Sequence, residues 1–153
     1  MLPCTRAKPT VAECMSSKPK KKKLPSLQKL RKAAHALWSL IVRHTDKVCQ
    51  VCGTSENLQG HHCLVPKGWG GSIRFFVDNG IALCYTCHIC TYHKGRGGVT
   101  FDRQLLAAID KKIPAARQEE LIKLAHAHKY KRDELTHWIY SLTETLNKLK
   151  ETP

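Results

Sequence analysis

The sequence predicts an α+β fold in which a cysteine-rich core lies between helical segments. Six of the eight Cys and four of the nine His fall within residues 49–93. Apolar residues recur at three- and four-residue steps on both sides of this stretch, which is typical of amphipathic helices. At 153 residues the chain has room for about one domain with extensions. We expect a basic arm over 1–25, a helix within 26–47, the core over 48–98 and a helical region over 99–153.

The charge balance indicates a polyanionic partner. The chain has 26 Lys and Arg against 12 Asp and Glu, which gives a formal net charge of +14. A fold does not require such an excess, whereas binding to nucleic acid uses one. The longest apolar stretch, 36–42, is far shorter than the ~18 residues of a membrane helix, and no apolar segment follows the first basic residues. The sequence therefore predicts a soluble intracellular protein with no membrane partner.

The first 25 residues are predicted to be a flexible arm. Four of the seven Pro and a run of four Lys lie there, and blocks of like charge stay unstructured until they meet a polyanion. We interpret the run as a set of DNA phosphate contacts, formed by Lys20, Lys21, Lys22 and Lys23. A solubilising tail and a nuclear-import signal fit the same lysines.

Helices are predicted on both sides of the core. Ser26 follows a proline and should cap the first helix, and Asp102 should cap the second. The predicted helices run over about 26–44, 103–113, 115–129 and 132–150. The last helix is amphipathic, and it packs either on the first helix, which we favour, or against a second subunit.

Two Cys-x-x-Cys pairs form the strongest motif. Cys49 and Cys52 make the first pair, and Cys84 and Cys87 make the second. Four thiolates complete the tetrahedral coordination of Zn²⁺, and Gly53 permits the tight turn of a zinc knuckle. Because a closed sulfur site has no open position for substrate, we predict one structural zinc ion.

A second group consists of His61, His62, Asn79 and His88. Adjacent residues of a strand point to opposite sides, so His61 and His62 cannot share one role. One of the two could bind a metal ion while its neighbour faces substrate. His88 should lie in the first turn of a helix that starts near Cys84 or Tyr85, close enough to supply a second imidazole. A cation with two protein ligands keeps positions open for water and phosphate, as hydrolytic metals require.

The same residues, framed by the cysteine pairs, resemble the HNH (ββα-metal) endonucleases, in which a β-hairpin and one helix hold a divalent ion. The resemblance covers about residues 48–98. It implies a zinc-stapled ββα-metal core, flanked by helices, in which His61 and His88 bind a catalytic Mg²⁺ or Mn²⁺ ion. It also implies that His62 is the general base and that Asn79 holds the hairpin loop so that this base is correctly oriented.

The implied chemistry suits these residue types. Free histidine has a pKa of ~6.5, so His62 can accept a proton near pH 7. Imidazole ligands favour transition metals, so Mn²⁺ should serve at least as well as Mg²⁺. His93, five residues after His88, is a further candidate ligand, although its angle on an α-helix is unfavourable.

A closer likeness extends over most of the chain. The layout is similar to the lambdoid-phage NinG (Rap) recombination endonucleases in Cys-Gly-Thr at 52–54, Gly60-His61, Arg74-Phe75, Asp78-Asn79 and Lys94-Gly95. This likeness implies that the partner is branched DNA, such as Holliday junctions and D-loops. It also implies action in the cytoplasm of a bacterial host. Paired incisions across a symmetric junction would favour a homodimer.

Four further basic residues of the core are predicted DNA contacts: Lys67, Arg74, Lys94 and Arg96. The expected products of cleavage are 5′-phosphate and 3′-hydroxyl ends. A non-catalytic zinc-dependent DNA-binding regulator and a homing or restriction-type HNH nuclease acting on duplex DNA are the alternatives. We disfavour the regulator because four thiolates already complete the zinc site and leave the histidines unexplained.

Overall fold

The computed structural model describes residues 24–65 and 71–151. The predicted arm lies almost entirely outside the described residues, and so do five of the predicted DNA contacts: Lys20, Lys21, Lys22, Lys23 and Lys67.

The described chain is α+β, as the sequence predicts, with two strands, four α-helices and one π-helix. The elements are α1 (Leu27–Asp46), β1 (Leu58–His62), β2 (Gly80–Cys84), a π-helix (Thr86–His93), α2 (Gly98–Lys112), α3 (Ala115–Leu124) and α4 (Arg132–Glu151). Short 3₁₀ turns at Gly71–Ile73 and Val77–Asn79 lie in the connection between the strands. None of the helices within 24–65 and 71–151 is both long and apolar enough to cross a bilayer.

The predicted start of α1 is confirmed. The Ser26 side chain accepts a hydrogen bond from the Lys29 amide at 3.3 Å, which satisfies one of the free N–H groups of the first turn. The helix ends at Asp46, two residues later than expected, where Lys47 takes a left-handed conformation with φ +60°.

Two helix boundaries in the C-terminal half were predicted wrongly. The second helix begins at Gly98, so Asp102 lies inside it and does not cap it. The helix starts earlier because Phe101 is buried on the same stripe as Leu105 and Ile109. The third helix ends at Leu124, where the chain turns to pair with the 3₁₀ turn at 71–73. Ser72 there exchanges backbone and side-chain hydrogen bonds with His126.

Helix α4 packs on α1 within the chain, which was the favoured expectation. The two helices bury one apolar core, and its fully buried members include Trp38, Ile41, Val42 and Leu135. A second core surrounds the cysteine pairs and the buried face of α2. Strand β2 is buried along its whole length, because Ala82 contacts the first core while Ile81 and Leu83 contact the second.

The two strands form an antiparallel hairpin that lies directly on α1. His61 pairs with Ile81, and His62 pairs with Gly80. A Cβ atom on Gly80 would lie 2.5 Å from Val42 Cγ2 and 2.8 Å from Trp38 Cζ2, so any other residue would push the hairpin away from the helix. The close approach therefore depends on glycine at this position.

A buried ion pair ties the end of α1 to the hairpin and to α2. Lys112 Nζ lies 2.6 Å from Asp46 Oδ1 and donates to the carbonyl of Gly80 at 2.7 Å. The other oxygen of Asp46 accepts from the Ala82 amide at 2.7 Å. The Asp46 carboxylate is 5% exposed, so its charge is compensated almost entirely by these donors.

We expect Lys112→Met to reduce the free energy of unfolding by about 3 kcal/mol, because it leaves a buried carboxylate without its counter-charge. Urea unfolding of the zinc-loaded protein, followed by circular dichroism, measures the change. Lys111→Met, at an exposed position of the same helix, is the matched control and should lie within about 0.5 kcal/mol of wild type. Equal midpoints for the two variants would show that the ion pair does not stabilise this junction.

Candidate metal centres

The four predicted zinc ligands converge at one end of the hairpin. The sulfur atoms of Cys49, Cys52, Cys84 and Cys87 all lie within 4.8 Å of one another. The Cys52 and Cys84 sulfurs are 3.7 Å apart. Two thiolates at 2.3 Å from a tetrahedral centre would be separated by about 3.8 Å, whereas a disulfide requires about 2.0 Å. The cluster fits a zinc ion and does not fit disulfides.

Backbone geometry at both pairs supports the same assignment. Gly53 has a φ of +78° and donates its amide to the Cys49 carbonyl at 2.8 Å, which makes the predicted knuckle turn. In the second pair the Cys87 amide points at the Cys84 sulfur at 3.4 Å. Such N–H···S bonds stabilise thiolate charge on a ligating sulfur.

Cys63 and Cys90, which do not belong to the two Cys-x-x-Cys pairs, lie outside this cluster. Cys63 is close to the carbonyl of Asp78, with 3.9 Å between sulfur and oxygen. Burial raises the pKa of the Cys63 thiol to about 11, so it stays protonated at neutral pH. Cys90 is half-buried on the π-helix. Neither belongs to a group of potential ligands in the described part of the chain.

Three imidazoles form a second cluster beside the first. His61 projects from β1, and His88 and His93 project from the π-helix. One ring nitrogen from each residue lies within 4.8 Å of the others, and the Nε2 atoms of His88 and His93 are 3.1 Å apart. The Tyr92 ring packs edge-on against His61, with 4.6 Å between centroids. The arrangement could hold one cation on three nitrogen ligands.

The π-helix explains why His93 joins the cluster despite its spacing. In an α-helix of 3.6 residues per turn, side chains five residues apart differ by about 140° in direction. A π-helix forms its hydrogen bonds between residues i and i+5, so side chains five apart lie on nearly the same face. The sequence analysis judged the angle of His93 unfavourable because it assumed an α-helix over 86–93, and that assumption is wrong.

Gln59 orients His88, and the sequence analysis did not identify it. Gln59 Oε1 lies 2.7 Å from His88 Nδ1. An amide oxygen can only accept, so Nδ1 carries the proton and Nε2 presents its lone pair to the cluster. The sequence does place Gln59 near the site, because Gln59 lies two residues before His61 on the same strand and therefore on the same face.

Two of the three imidazoles, those of His61 and His88, are neutral at physiological pH. Burial, followed by the neighbouring charges of His88 and His93, lowers the pKa of His61 to about 4. Burial and His93 lower the pKa of His88 to about 4 as well. Neutral imidazole is the form that binds a metal ion, so protons do not compete for these two residues near pH 7.

His62 lies on the opposite face of β1, as strand alternation requires. Its ring stacks on the Trp38 indole, with centroids 4.0 Å apart and planes 8° from parallel. Trp38 is itself fixed by a hydrogen bond from Nε1 to the Phe76 carbonyl at 2.9 Å. The His35 ring, also on α1, is 5.6 Å from His62. His62 is thus held apart from the imidazole cluster.

One pocket of about 340 Å³ nevertheless joins the two faces. It passes the edge of the hairpin at Gly60, and its side chains are His35, His61, His62, His88, Tyr92 and His93. His35 and Tyr92 are members that sequence reasoning missed. Tyr92 directly precedes the candidate ligand His93. His35 lies on α1, far from the motif in the chain, and no local pattern connects it to the other histidines.

Asn79 is fully buried and holds the chain that follows His62. Its Oδ1 accepts from the amides of Leu64 and Val65 at 3.1 and 3.3 Å, and its Nδ2 donates to the Val65 carbonyl at 3.5 Å. The Asn79 carbonyl accepts from the Cys63 amide at 3.2 Å. Asn79 therefore fixes the backbone of residues 63–65.

The predicted DNA contacts that the structure describes separate into two regions. Arg74 is half-buried near α1. Lys94 and Arg96 are exposed in the turn after the π-helix, and neither lines the imidazole pocket. Lys94 directly follows His93 and stays close to the cluster along the chain.

Comparisons with protein-family models, with curated proteins and with solved structures each find no match for this chain. The HNH and NinG resemblances therefore rest on the motifs alone.

We expect the protein to contain one tightly bound zinc ion per chain, and Cys84→Ser to abolish it. Structural zinc contributes ~10–16 kcal/mol of apparent binding free energy in small peptides, as much as the whole stability of many domains. The variant should therefore also lose its near-ultraviolet circular dichroism. Cys90→Ser is the matched control, and elemental analysis should find one zinc ion in it. Undiminished zinc in the Cys84→Ser protein would contradict the four-sulfur assignment.

Any ion that binds the imidazole cluster should bind more weakly when Gln59 is replaced by a residue that cannot accept a hydrogen bond. Gln59→Leu removes the acceptor for His88 Nδ1–H, and the loss of such a partner typically costs 10–100-fold in affinity. Gln59→Glu retains an acceptor and should bind at least as tightly as wild type. Calorimetric titration of the zinc-loaded protein with Ni²⁺ measures both, with Gln104→Leu at an exposed position of α2 as the control. An unchanged affinity in Gln59→Leu would show that this hydrogen bond does not serve a metal ion.

Proposed function

We propose that this protein is a divalent-metal-dependent DNA endonuclease of the HNH type. The observation that carries the proposal is the convergence of His61 with His88 and His93, within 4.8 Å, beside a pocket that His62 also lines. A β-hairpin followed directly by a helix that supplies imidazoles resembles the ββα-metal arrangement and supports the proposal. Three imidazole nitrogen donors suit a divalent transition metal and leave positions for water and phosphate.

The donor set and its surroundings fit a catalytic ion. Such an ion, when bound, would neutralise charge on the phosphate and on the leaving oxygen. His88 is held by Gln59 in the tautomer that exposes Nε2, and His61 is kept neutral by burial. The closed sulfur cluster has no open coordination position, so it would serve as scaffold and not as the reactive site.

His62 is the residue we propose as general base. It would take a proton from the water that attacks the phosphodiester, so that cleavage leaves 5′-phosphate and 3′-hydroxyl ends. Stacking on Trp38 fixes the plane of its ring, and Asn79 fixes the backbone that follows it. The base is therefore positioned without being a metal ligand.

The proposed substrate is branched DNA. The net charge of +14 supports a nucleic acid partner, and the NinG-like residues described above favour junctions over linear duplex. A homing or restriction-type nuclease would differ in this respect, because a linear duplex of random sequence would then compete as well as a junction. Competition of a four-way junction with linear duplex for the same labelled junction separates these readings.

We expect His62→Ala to reduce the rate of DNA cleavage by about 10²–10⁴-fold while sparing metal and DNA affinity, because general-base catalysis contributes about that factor. Nicking of supercoiled plasmid and cleavage of a four-way junction with Mg²⁺ or Mn²⁺ measure the rate. His44→Ala, at an exposed position of α1, should cleave like wild type.

Two outcomes would contradict the proposal. Equal cleavage by wild type and His62→Ala would point to a contaminating nuclease. DNA binding by a zinc-loaded wild type that cleaves neither substrate with either ion would indicate the DNA-binding regulator instead.

A further inference from the structure

A groove with uncompensated positive charge runs along α1, away from the imidazole pocket. Its first part, about 330 Å³, is lined by Arg31 and Lys32 of α1 and by Arg74 of the connection between the strands. Its second part, about 550 Å³, is lined again by Arg31 and Arg74 and then by Lys129. No Asp or Glu lines either part.

The cations of this groove have no carboxylate partners among the residues that the structure describes. The acids in the ion pairs found there are Asp46, Asp78, Glu119, Glu120 and Glu134, and none of them pairs with Arg31, Lys32, Arg74 or Lys129. Glu134 pairs with His128, which lines the second part of the groove. The basic residues are therefore not used to stabilise the fold through ion pairs. They are available to an external anion.

Arg74 is the most constrained of these cations. Its guanidinium lies over the Phe75 ring at 5.7 Å, and its Nε is buried without a hydrogen-bond partner in the described part of the chain. Burial, followed by the positive charge of Arg31, lowers the pKa of Arg74. Two guanidiniums that repel each other, one with an unused buried donor, are stabilised when an anion binds between them.

His35 connects the groove to the imidazole pocket, because it lines both. The order along the surface is therefore the imidazole cluster, then His35, then Arg31 with Lys32 and Arg74. A ligand that extended from the first site to the last would need negative charge at regular intervals. The phosphodiester backbone of a nucleic acid has this property, and a single small anion does not.

We propose that the groove lined by Arg31, Lys32 and Arg74 binds the backbone phosphates of the DNA strand that is cut, on one side of the phosphate at the imidazole cluster. The proposal rests on the nuclease function proposed above and adds the path of the substrate. It gives α1 a role in binding in addition to its role in packing.

Salt dependence of DNA binding tests the proposal without requiring cleavage. Each phosphate contact contributes about 0.9 to the slope of log affinity against log salt concentration. Arg31→Ala/Arg74→Ala should therefore reduce the slope by about 1.8. The matched control, Arg103→Ala/Lys111→Ala, removes the same charge at exposed positions of α2 and should keep the wild-type slope. Fluorescence anisotropy of a labelled duplex and of a labelled junction, without added divalent ion, gives both slopes.

Equal slopes for the groove variant and the control would overturn the proposal. The removed charges would then affect DNA binding only through the net charge of the protein, and not through phosphate contacts in the groove. If Arg74→Ala fails to fold, as judged by zinc content and circular dichroism, Arg31→Ala/Lys32→Ala on the outer surface of α1 provides the same test with the same expected change.

The result is independent of the nuclease proposal. If the groove variant has a reduced slope and the wild-type protein does not cleave DNA, the result would support the groove and contradict the nuclease. An unchanged slope in a protein that cleaves DNA through His62 would overturn the groove alone.

Discussion

The contact between the hairpin and α1 is the constraint on which the rest of the structure depends. Gly80 allows β2 to approach Val42 and Trp38 to a distance that any side chain would prevent. Trp38 then lies under β1, and the His62 ring stacks on it. Because successive residues of a strand face opposite sides, the same contact directs His61 towards the π-helix. One packing interaction therefore separates the two adjacent histidines.

The sulfur cluster and the imidazole cluster share their framework. The second cysteine pair spans the end of β2 and the start of the π-helix, and His88 directly follows Cys87. A zinc ion on the four sulfurs would fix the direction in which the π-helix leaves the hairpin, and with it the position of two of the three imidazoles. Such a small sheet has little apolar area of its own, so a metal is a physically reasonable anchor for it.

The uses of positive charge in this chain fall into distinct classes. Lys112 is inside the fold, where it compensates the buried Asp46 carboxylate. Arg117 is at the surface and pairs with Asp78 and Glu120. Arg31, Lys32 and Arg74 have no such partners in the described residues, although Arg74 is half-buried. Charge that folding leaves uncompensated beside a candidate active site is expected where the substrate is a polyanion.

The sequence by itself determined the features that depend on local spacing: the two cysteine pairs, the opposite faces of His61 and His62, and the cap and amphipathic stripe of α1. Tertiary structure alone decided the winding of 86–93, which brings His93 beside His88. It also placed Arg31 and His35 of α1 beside Arg74, which is about forty residues further along the chain. The physical reason is that periodicity reports which side of one element a residue occupies, whereas the distance between elements follows from how their buried faces fit together.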